Sequence, residues 1–216
     1  MSTKAVVFID VQKDFIDGAL RNEKAIEVTP KIVEFAKSIN AKMEAGRGSF
    51  YKFYATRDTH KKTEYDCPIG IPEPREGYLA TLEGQKLPVE HCIEGTDGWM
   101  IDARLMEAIE GKCTFVDKPT FGSFDLAEII HEDDVTATNL HNHFQSALHC
   151  HKTTMFDEII LCGFCTDICV ISNALILRAK FPNTKITIKR DLCAGVTEDS
   201  HNAALVTAEM CQINVE

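Results

Sequence analysis

The chain has 216 residues, of which 44% are hydrophobic and 26% charged, a balance typical of a globular protein. Its length fits one domain better than two, so we expect a single domain over residues 1–216 with one active centre. The formal net charge of −10, with no basic patch to offset it, excludes nucleic acid and anionic membrane surfaces as expected partners.

No apolar run in the chain is as long as a secretory leader or a membrane span. Nine cysteines in such a sequence are expected to be reduced thiols rather than a disulfide framework. The predicted compartment is therefore the cytoplasm.

Strand-like runs alternate with helical segments along the chain. The predicted strands are residues 4–10, 50–57, 113–118, 158–163, 184–190 and 211–215. The predicted helices are residues 28–45, 99–110, 140–153, 166–180 and 197–210. Several strands are apolar on both faces, which predicts an α/β fold: a Rossmann-like three-layer sandwich with a six-stranded, mostly parallel sheet. The irregular stretch from about 61 to 98 is predicted to be a loop excursion over one edge of that sheet.

Charged residues and thiols follow the predicted strands. Asp10, Asp58, Lys118, the segment 165–169 and Asp191 all stand at predicted strand ends. Ligands bind at the carboxyl ends of strands in open parallel sheets, so we expect a catalytic site at this edge.

Two thiols of the segment GFCTDICV, residues 163–170, have different predicted roles. Thr166 is the predicted N-cap of a helix, which places Cys169 in the first turn, where free N–H groups and the helix dipole stabilise a thiolate. Cys165 precedes the helix, so its backbone N–H is the better oxyanion donor. The alternative is a redox pair of Cys162 and Cys165, although Pro182, the only later proline, lies at a predicted helix end rather than facing the cysteines.

A sulfur nucleophile needs a base and a charge partner. Asp10 and Lys118 follow two other predicted strands and are expected at the same edge as Cys169. Each alone is compatible with a helix cap or a surface lysine. Together they predict a triad.

Four segments in order along the chain resemble the isochorismatase-like cysteine hydrolases. They are VFIDVQKDF at 7–15, DKPTFGS at 117–123, GFCTDICV and DLCAGVTEDSH at 191–201. The resemblance implies an isochorismatase-like fold and makes Asp10 the general base, Lys118 the charge partner and Cys169 the nucleophile. It also implies a cis peptide between Phe164 and Cys165, with the N–H groups of Cys165 and Cys169 holding the oxyanion.

Two further segments, TRDTH at 56–60 and PVEHCIEGTDG at 88–98, look like the metal-site segments of nicotinamidases. The resemblance implies one divalent ion bound by Asp58, His60 and His91, with zinc as the leading choice and iron or manganese as alternatives. The family often has another histidine soon after the first, and this sequence has none there. Glu83 is the predicted fourth ligand. The alternatives are Glu64 and Glu76.

The implied activity is hydrolysis of a small amide, with nicotinamide as the leading substrate. Thr59 replaces the tryptophan that many nicotinamidases carry, so the substrate pocket is expected to differ. Phe15 and Phe164 are the predicted substrate-binding residues, and Trp99 and Phe124 are further candidates for a pocket wall. The alternatives are another small amide or ureido compound, or a non-catalytic metal-binding protein on the same scaffold. Assembly into a homo-oligomer is expected.

The histidines of residues 141–151 are two, six or eight residues apart, whereas ligands on one helix face recur at three or four. This segment therefore predicts a polar helix face rather than a second metal site.

Overall fold

A computed structural model describes residues 2–46, 49–66, 73–145 and 154–216. Its strands are β1 Thr3–Ile9, β2 Phe50–Asp58, β3 Glu64–Asp66, β4 Glu73–Glu76, β5 Cys113–Lys118, β6 Glu158–Phe164, β7 Lys185–Ala194 and β8 Asn214–Val215. Its helices are α1 Lys13–Ile16, α2 Glu23–Glu44, α3 Leu82–Lys86, α4 Ala103–Ile109, α5 Phe124–Gln145, α6 Ile171–Lys180 and α7 Glu198–Met210. A 3-10 turn at Tyr78–Ala80 precedes α3, and a π-helical turn at Thr166–Val170 precedes α6.

Six strands form one sheet in the order β5-β2-β1-β6-β7-β8, and every neighbouring pair is parallel. The prediction of a six-stranded, mostly parallel α/β sheet is confirmed. Residues 5–9 of β1 and all seven residues of β6 are buried, because helices cover both faces of the sheet. Helices α1 and α4 contact α2 in one group, and α5, α6 and α7 contact one another in turn in the other.

The strand order brings the predicted site residues together. Strand β1 lies between β2 and β6, so the winding of the chain reverses on the two sides of β1, and ligands bind at such a switch point. Along the carboxyl edge, Lys118 ends β5, Asp58 ends β2, Asp10 follows β1 and Cys165 follows β6. Asp58 and Lys118 are direct partners in the ladder between β2 and β5.

Gly163 allows β6 to approach the end of β1. Its φ is +127°, and a Cβ at this position would lie 2.0 Å from the carbonyl oxygen of Ile9. Only glycine fits this contact, which lies one residue before Asp10.

Three predicted helices begin at the wrong residue. Helix α5 begins at Phe124, not at 140, because Ser123 Oγ accepts a hydrogen bond from Leu126 N and the apolar residues that follow are buried. Helix α2 begins at Glu23, capped by Asn22, rather than at 28. Helix α4 begins at Ala103, after the N-cap residue Asp102, rather than at 99.

The far end of predicted helix 140–153 cannot be compared. Residues 146–153 lie outside the described residues, as do the side chains of 140–145. The prediction for the histidine-rich segment 141–151 therefore stays a prediction.

One other prediction differs from the structure. Strand β7 runs to Ala194 rather than 190, so Asp191 lies within the strand, exposed, and does not join the site. The stretch after β2 contains an antiparallel pair, β3 and β4, followed by the 3-10 turn and α3. Among the described residues, no helix combines the length and apolar character needed to cross a membrane.

Glu158 begins β6 at the opposite edge of the sheet. Its carboxylate lies 2.6 Å from Lys4 Nζ and 2.9 Å from Lys185 Nζ, and it accepts a hydrogen bond of 2.6 Å from the Thr187 hydroxyl. Burial alone would raise the pKa of Glu158, but these donors outweigh it and lower that pKa to about 2.

Candidate active site

Lys118 connects the groups of the candidate active site. Its side chain is 1% exposed, and its ammonium lies 2.7 Å from Asp10 Oδ2 and 3.4 Å from Asp58 Oδ1. The same ammonium donates to Cys169 Sγ at 3.5 Å and to the Thr120 carbonyl oxygen at 3.1 Å. One buried cation therefore contacts the predicted base, the predicted nucleophile and a predicted metal ligand.

Asp10 is held from its backbone and its side chain. Its backbone has a φ of +48°, a left-handed conformation that aspartate tolerates better than most residues. Thr56, buried in β2, accepts from Asp10 N at 3.1 Å and donates to Asp10 Oδ1 at 2.6 Å. Oδ2 makes no such hydrogen bond to a hydroxyl or backbone group among the described residues, and its close contact is the Lys118 ammonium at 2.7 Å.

The helix that carries Cys169 begins differently from the prediction. Thr166 is the first helical residue and Cys165 occupies the N-cap position. The Thr166 hydroxyl instead pairs with His201 Nδ1 at 2.8 Å. The first turn is π-helical, and the N–H groups of Ile168 and Val170 both donate to the Cys165 carbonyl oxygen. The peptide between Phe164 and Cys165 is cis, as the resemblance implied.

Sequence analysis predicted that the start of the helix stabilises Cys169 as a thiolate. The surroundings of Cys169 in the structure have the opposite effect. Burial raises the pKa of Cys169 well above that of a free thiol, and the charge of Lys118 offsets this only in part. Burial likewise raises the pKa of Asp10 despite Lys118. Burial opposes the charge on Lys118, but Asp10, Cys169 and Asp58 raise its pKa, so it stays an ammonium. The raised pKa favours the thiol form of Cys169, which would then need a base to act as a nucleophile.

Four side chains at the neighbouring strand end form a cluster that could hold a metal ion. One ligand atom from each lies within 4.8 Å of all the others; the residues are Asp58, His60, Glu83 and His91. Asp58 Oδ2 is 3.0 Å from His60 Nε2 and 3.4 Å from His91 Nε2, and Glu83 Oε1 is 3.9 and 3.8 Å from the same nitrogens. Ligand atoms that bind one zinc ion at 2.0–2.2 Å lie about 3.0–3.4 Å apart, so these residues could close on such an ion. Glu64 and Glu76, the alternative ligands, lie outside this cluster.

The ligand atoms of the cluster are oriented by their surroundings. His91 Nδ1 contacts the Val89 carbonyl oxygen at 2.8 Å, which leaves Nε2 facing the carboxylates. Burial would raise the pKa of Asp58, but its hydrogen bonds to the two histidines and the charge of Lys118 lower it, so this carboxylate stays ionised. Tyr78, fully buried, packs its ring 4.6 Å from His60 and 4.9 Å from His91. Sequence reasoning missed Tyr78, since nothing in its surroundings marks it as part of a site.

Two residues of the first motif position the metal-site segments. Gln12 is fully buried; its Nε2 donates to the carbonyl oxygens of Asp58 and Trp99, each at 2.9 Å, and its Oε1 accepts from Asp58 N at 2.7 Å. Asp14 Oδ2 accepts from Cys92 N at 2.7 Å, next to His91. These roles were also missed, because a side chain that binds distant peptide groups has no local sequence signature.

Asn173, in α6, contacts the turn that carries the predicted nucleophile, Cys169. Its Nδ2 donates to the carbonyl oxygens of Cys169 at 2.8 Å and Phe121 at 3.0 Å, and its Oδ1 accepts from Ser123 N at 3.0 Å. Asn173 therefore links the turn that contains Cys169 to residues 121–123, which follow Lys118. The available signal was its spacing of four residues from Cys169, which places both on one helix face.

A cavity of about 1180 Å³ opens above these groups, and both Cys169 and Cys165 line it. Phe15 lines it as well, with its ring 5.7 Å from that of His91. Phe164, the other predicted substrate-binding residue, is a core residue and does not line it. Phe164 ends β6, in which every residue is buried, and this explains the difference.

Neither further candidate for a pocket wall lines the cavity. Trp99 Nε1 donates to Thr59 Oγ1 at 2.8 Å and its ring stacks on the Arg57 guanidinium. Phe124 is 76% exposed at the start of α5. Phe121, which sequence analysis did not single out, lines the cavity instead.

The two thiols of the predicted redox alternative have different surroundings. Cys162 is fully buried in β6, with its sulfur 3.9 Å from the Val7 carbonyl oxygen, whereas Cys165 lines the cavity. Burial and Asp167 raise the pKa of Cys165 to about 12. The seven cysteines within the described residues are free thiols. This arrangement favours the hydrolase over a redox pair.

Comparison with known proteins covers the whole chain. A family model described as the Isochorismatase domain matches residues 4–215. No curated protein sequence matches. Among solved structures, nicotinamidase PncA from Bacillus subtilis is 22% identical with a TM-score of 0.67, over 98% of each chain.

Two other solved structures bind ligands. Pyrazinamidase of Pyrococcus horikoshii, solved in complex with zinc, is 19% identical with a TM-score of 0.67, over 99% of this chain and 98% of that one. PnC1 from L. infantum, in complex with nicotinate, is 16% identical with a TM-score of 0.66, over 100% and 92%. At these identities the likeness establishes the fold.

Proposed function

Because the chain belongs to the isochorismatase family of hydrolases, we propose that it is a metal-dependent cysteine amidohydrolase that converts nicotinamide to nicotinate and ammonia. The observation that carries the proposal is the position of Lys118, between Asp10 and Cys169 and beside the cluster of Asp58. Nicotinamidases among the similar structures support the pyridine substrate.

In the first half of the reaction, the carboxamide carbon lies above Cys169 at the floor of the cavity. Asp10 Oδ2 takes the thiol proton, and the sulfur attacks that carbon. Backbone N–H groups of Cys165 and Cys169 stabilise the oxyanion. The C–N bond then breaks, the proton returns from Asp10 to the leaving nitrogen as ammonia departs, and a thioester on Cys169 remains.

In the second half, a water molecule gives its proton to Asp10 while its oxygen attacks the thioester carbon. The C–S bond breaks, Asp10 returns its proton to the sulfur, and the product leaves as the carboxylic acid, which loses its remaining proton to solvent to become the carboxylate. Lys118 stays charged throughout and stabilises whichever neighbour carries the negative charge.

Asp58, His60, Glu83 and His91 are the proposed ligands of one divalent ion. Two carboxylates and two imidazoles suit zinc, with iron or manganese as alternatives. When bound, the ion supplies a Lewis-acid site that orients the substrate, for example through the pyridine nitrogen. The zinc complex of the Pyrococcus horikoshii enzyme supports zinc as the first choice.

The test is ammonia and nicotinate release by the zinc-loaded protein. Cys169→Ala is expected to lower kcat by about 10⁴-fold or more, since it removes the nucleophile. Cys165→Ala keeps the backbone N–H and is expected to lower kcat by about 10-fold at most. An unchanged rate in Cys169→Ala would refute the mechanism.

Other substrates separate the proposed function from its alternatives. Activity on aliphatic amides or ureido compounds alone would keep the mechanism and refute the pyridine substrate. Zinc binding without turnover of any amide would favour the non-catalytic metal-binding alternative. Assembly into a homo-oligomer in the cytoplasm completes the proposal, and light scattering measures the number of subunits.

A further inference from the structure

The mouth of the cavity is apolar although it faces solvent. Four exposed side chains from three segments surround it: Leu82 (71% exposed), Leu87 (39%), Phe121 (42%) and Val196 (59%). We refer to these four residues as the apolar rim. Exposed apolar side chains that line a cavity are typical of a ligand-binding groove.

The apolar rim is held in place by polar contacts. The Phe121 carbonyl oxygen accepts from Asn173 Nδ2 at 3.0 Å. The Val196 N–H donates to the Asp167 carboxylate at 3.1 and 3.2 Å. Leu82 begins α3, whose first turn is capped by Thr81 Oγ1. These contacts hold the backbone at or next to three of the four rim residues, Leu82, Phe121 and Val196.

Among the residues that the structure describes, the charges around the mouth form no site for an anion. Arg21 pairs with Glu23 at 2.8 Å, and Lys24 pairs with Glu27 at 3.0 Å. Lys86 is a single exposed ammonium on a five-residue helix. A substrate with a carboxylate or phosphate at this end would therefore find no cluster of cations.

We propose that the substrates of this enzyme are primary carboxamides whose ring or chain carries an uncharged apolar group that extends from the floor at Cys169 to the apolar rim. This inference rests on the proposed function and specifies its substrate class. A single pyridine carboxamide fills only part of a cavity of about 1180 Å³, which exceeds the roughly 300–1,000 Å³ of ordinary small-molecule pockets. The group most complementary to the rest of the cavity is an alkyl or aryl substituent, because it covers the exposed rim.

The test compares nicotinamide with nicotinamides that carry methyl, propyl or pentyl groups at ring position 5 or 6. Each methylene buried against the rim is expected to raise kcat/KM by about 4-fold. The best propyl compound should therefore exceed nicotinamide by at least about 10-fold. The substituted compounds should also bind more tightly to Cys169→Ala, measured by calorimetry, which tests the rim without turnover.

Substitutions in the apolar rim test whether the rim causes the preference for the propyl compound. Val196→Thr and Leu82→Gln should each lower the ratio of kcat/KM between propyl and unsubstituted nicotinamide, by about 3-fold or more. Val135→Thr, at an exposed valine of α5 that does not line the cavity, should leave this ratio unchanged.

The outcomes separate this inference from the proposed function. Turnover of nicotinamide with ratios of one or less for all substituted amides overturns the inference and leaves the proposed function intact. Ratios of one or less, together with a changed number of subunits in the rim variants, would mean that a second copy of the chain covers the rim, which also overturns it. Tight binding of propyl nicotinamide to Cys169→Ala, without turnover by the unmodified protein, would support the rim and refute the proposed function.

Discussion

Replacing Gln12 tests whether the candidate metal site depends on a buried amide that binds no metal itself. In Gln12→Met the side chain keeps a similar volume but loses its hydrogen bonds to Asp58 N, Asp58 O and Trp99 O. Each buried backbone group left without its partner costs about 1 kcal/mol. Three such groups predict a loss of about 3 kcal/mol in the free energy of unfolding, or about 6–12 °C in Tm for a chain of this size.

Zinc affinity, measured separately from Tm, shows whether Gln12 positions the metal ligands or only stabilises the fold. Gln12 holds both peptide groups of Asp58, so its loss releases the strand end from which Asp58 and His60 project. Loss of a residue that orients a ligand typically weakens metal binding by about 10- to 100-fold. The assay is competition for zinc with a chromophoric chelator at a temperature well below the Tm of the variant, alongside thermal melts of the metal-free protein.

The control is Gln85→Met, an exposed residue of α3. It should change neither the Tm nor the zinc affinity. The reasoning is wrong if Gln12→Met lowers Tm as expected but binds zinc as tightly as the unmodified protein. That result would mean that the cluster holds its geometry without the Gln12 amide.

Three further predictions concern single side chains. Lys118→Met should lower kcat/KM for the amide by at least about 10³-fold, because no cation then stabilises Asp10 and Cys169; a loss below 10-fold would contradict its role. Glu83→Gln should weaken zinc binding by about 10- to 100-fold, whereas Glu76→Gln should leave it unchanged, and equal effects would refute Glu83 as the fourth ligand. The folded-state pKa of Glu158 is lowered to about 2, so its contribution is present above pH 4.5 and lost as pH falls toward 2. Acid titrations of unfolding should therefore show that Glu158→Gln lacks about 1–2 kcal/mol of that pH dependence, and identical titration curves would contradict this.

The sheet and the residues at its edge were predictable because their signals are local. Strand β5 matches its predicted bounds, β1 begins and ends one residue earlier than predicted, and β2 ends one residue later. Once the parallel order is known, residues that end adjacent strands must be neighbours, which is why Asp10, Asp58 and Lys118 meet. Glu83 was identified only by its proximity in sequence to His91, and the structure places it in the cluster.

The residues that were missed act over long sequence separations. Gln12 contacts a peptide group 46 residues away, and Asn173 contacts one 52 residues away. Neither partner is a side chain, so residue types at the other end carry no information about the contact. The start of α5 at Phe124 was missed for a different reason: its buried positions alternate with acidic residues, and the cap at Ser123 is a single residue.

In the proposed mechanism, the charges of the buried site explain why burial, which raises the pKa of Cys169, would not prevent nucleophilic attack. Lys118 already faces two carboxyl groups, Asp10 and Asp58, so loss of the thiol proton to solvent would add a third negative charge around one cation. Transfer of that proton to Asp10 moves one negative charge from oxygen to sulfur, and the total charge near Lys118 stays the same. Burial therefore opposes loss of the Cys169 proton to solvent far more than it opposes transfer of that proton to Asp10. We therefore expect the thiol to stay unreactive until a substrate carbon lies beside it, when attack on that carbon would draw the proton to Asp10.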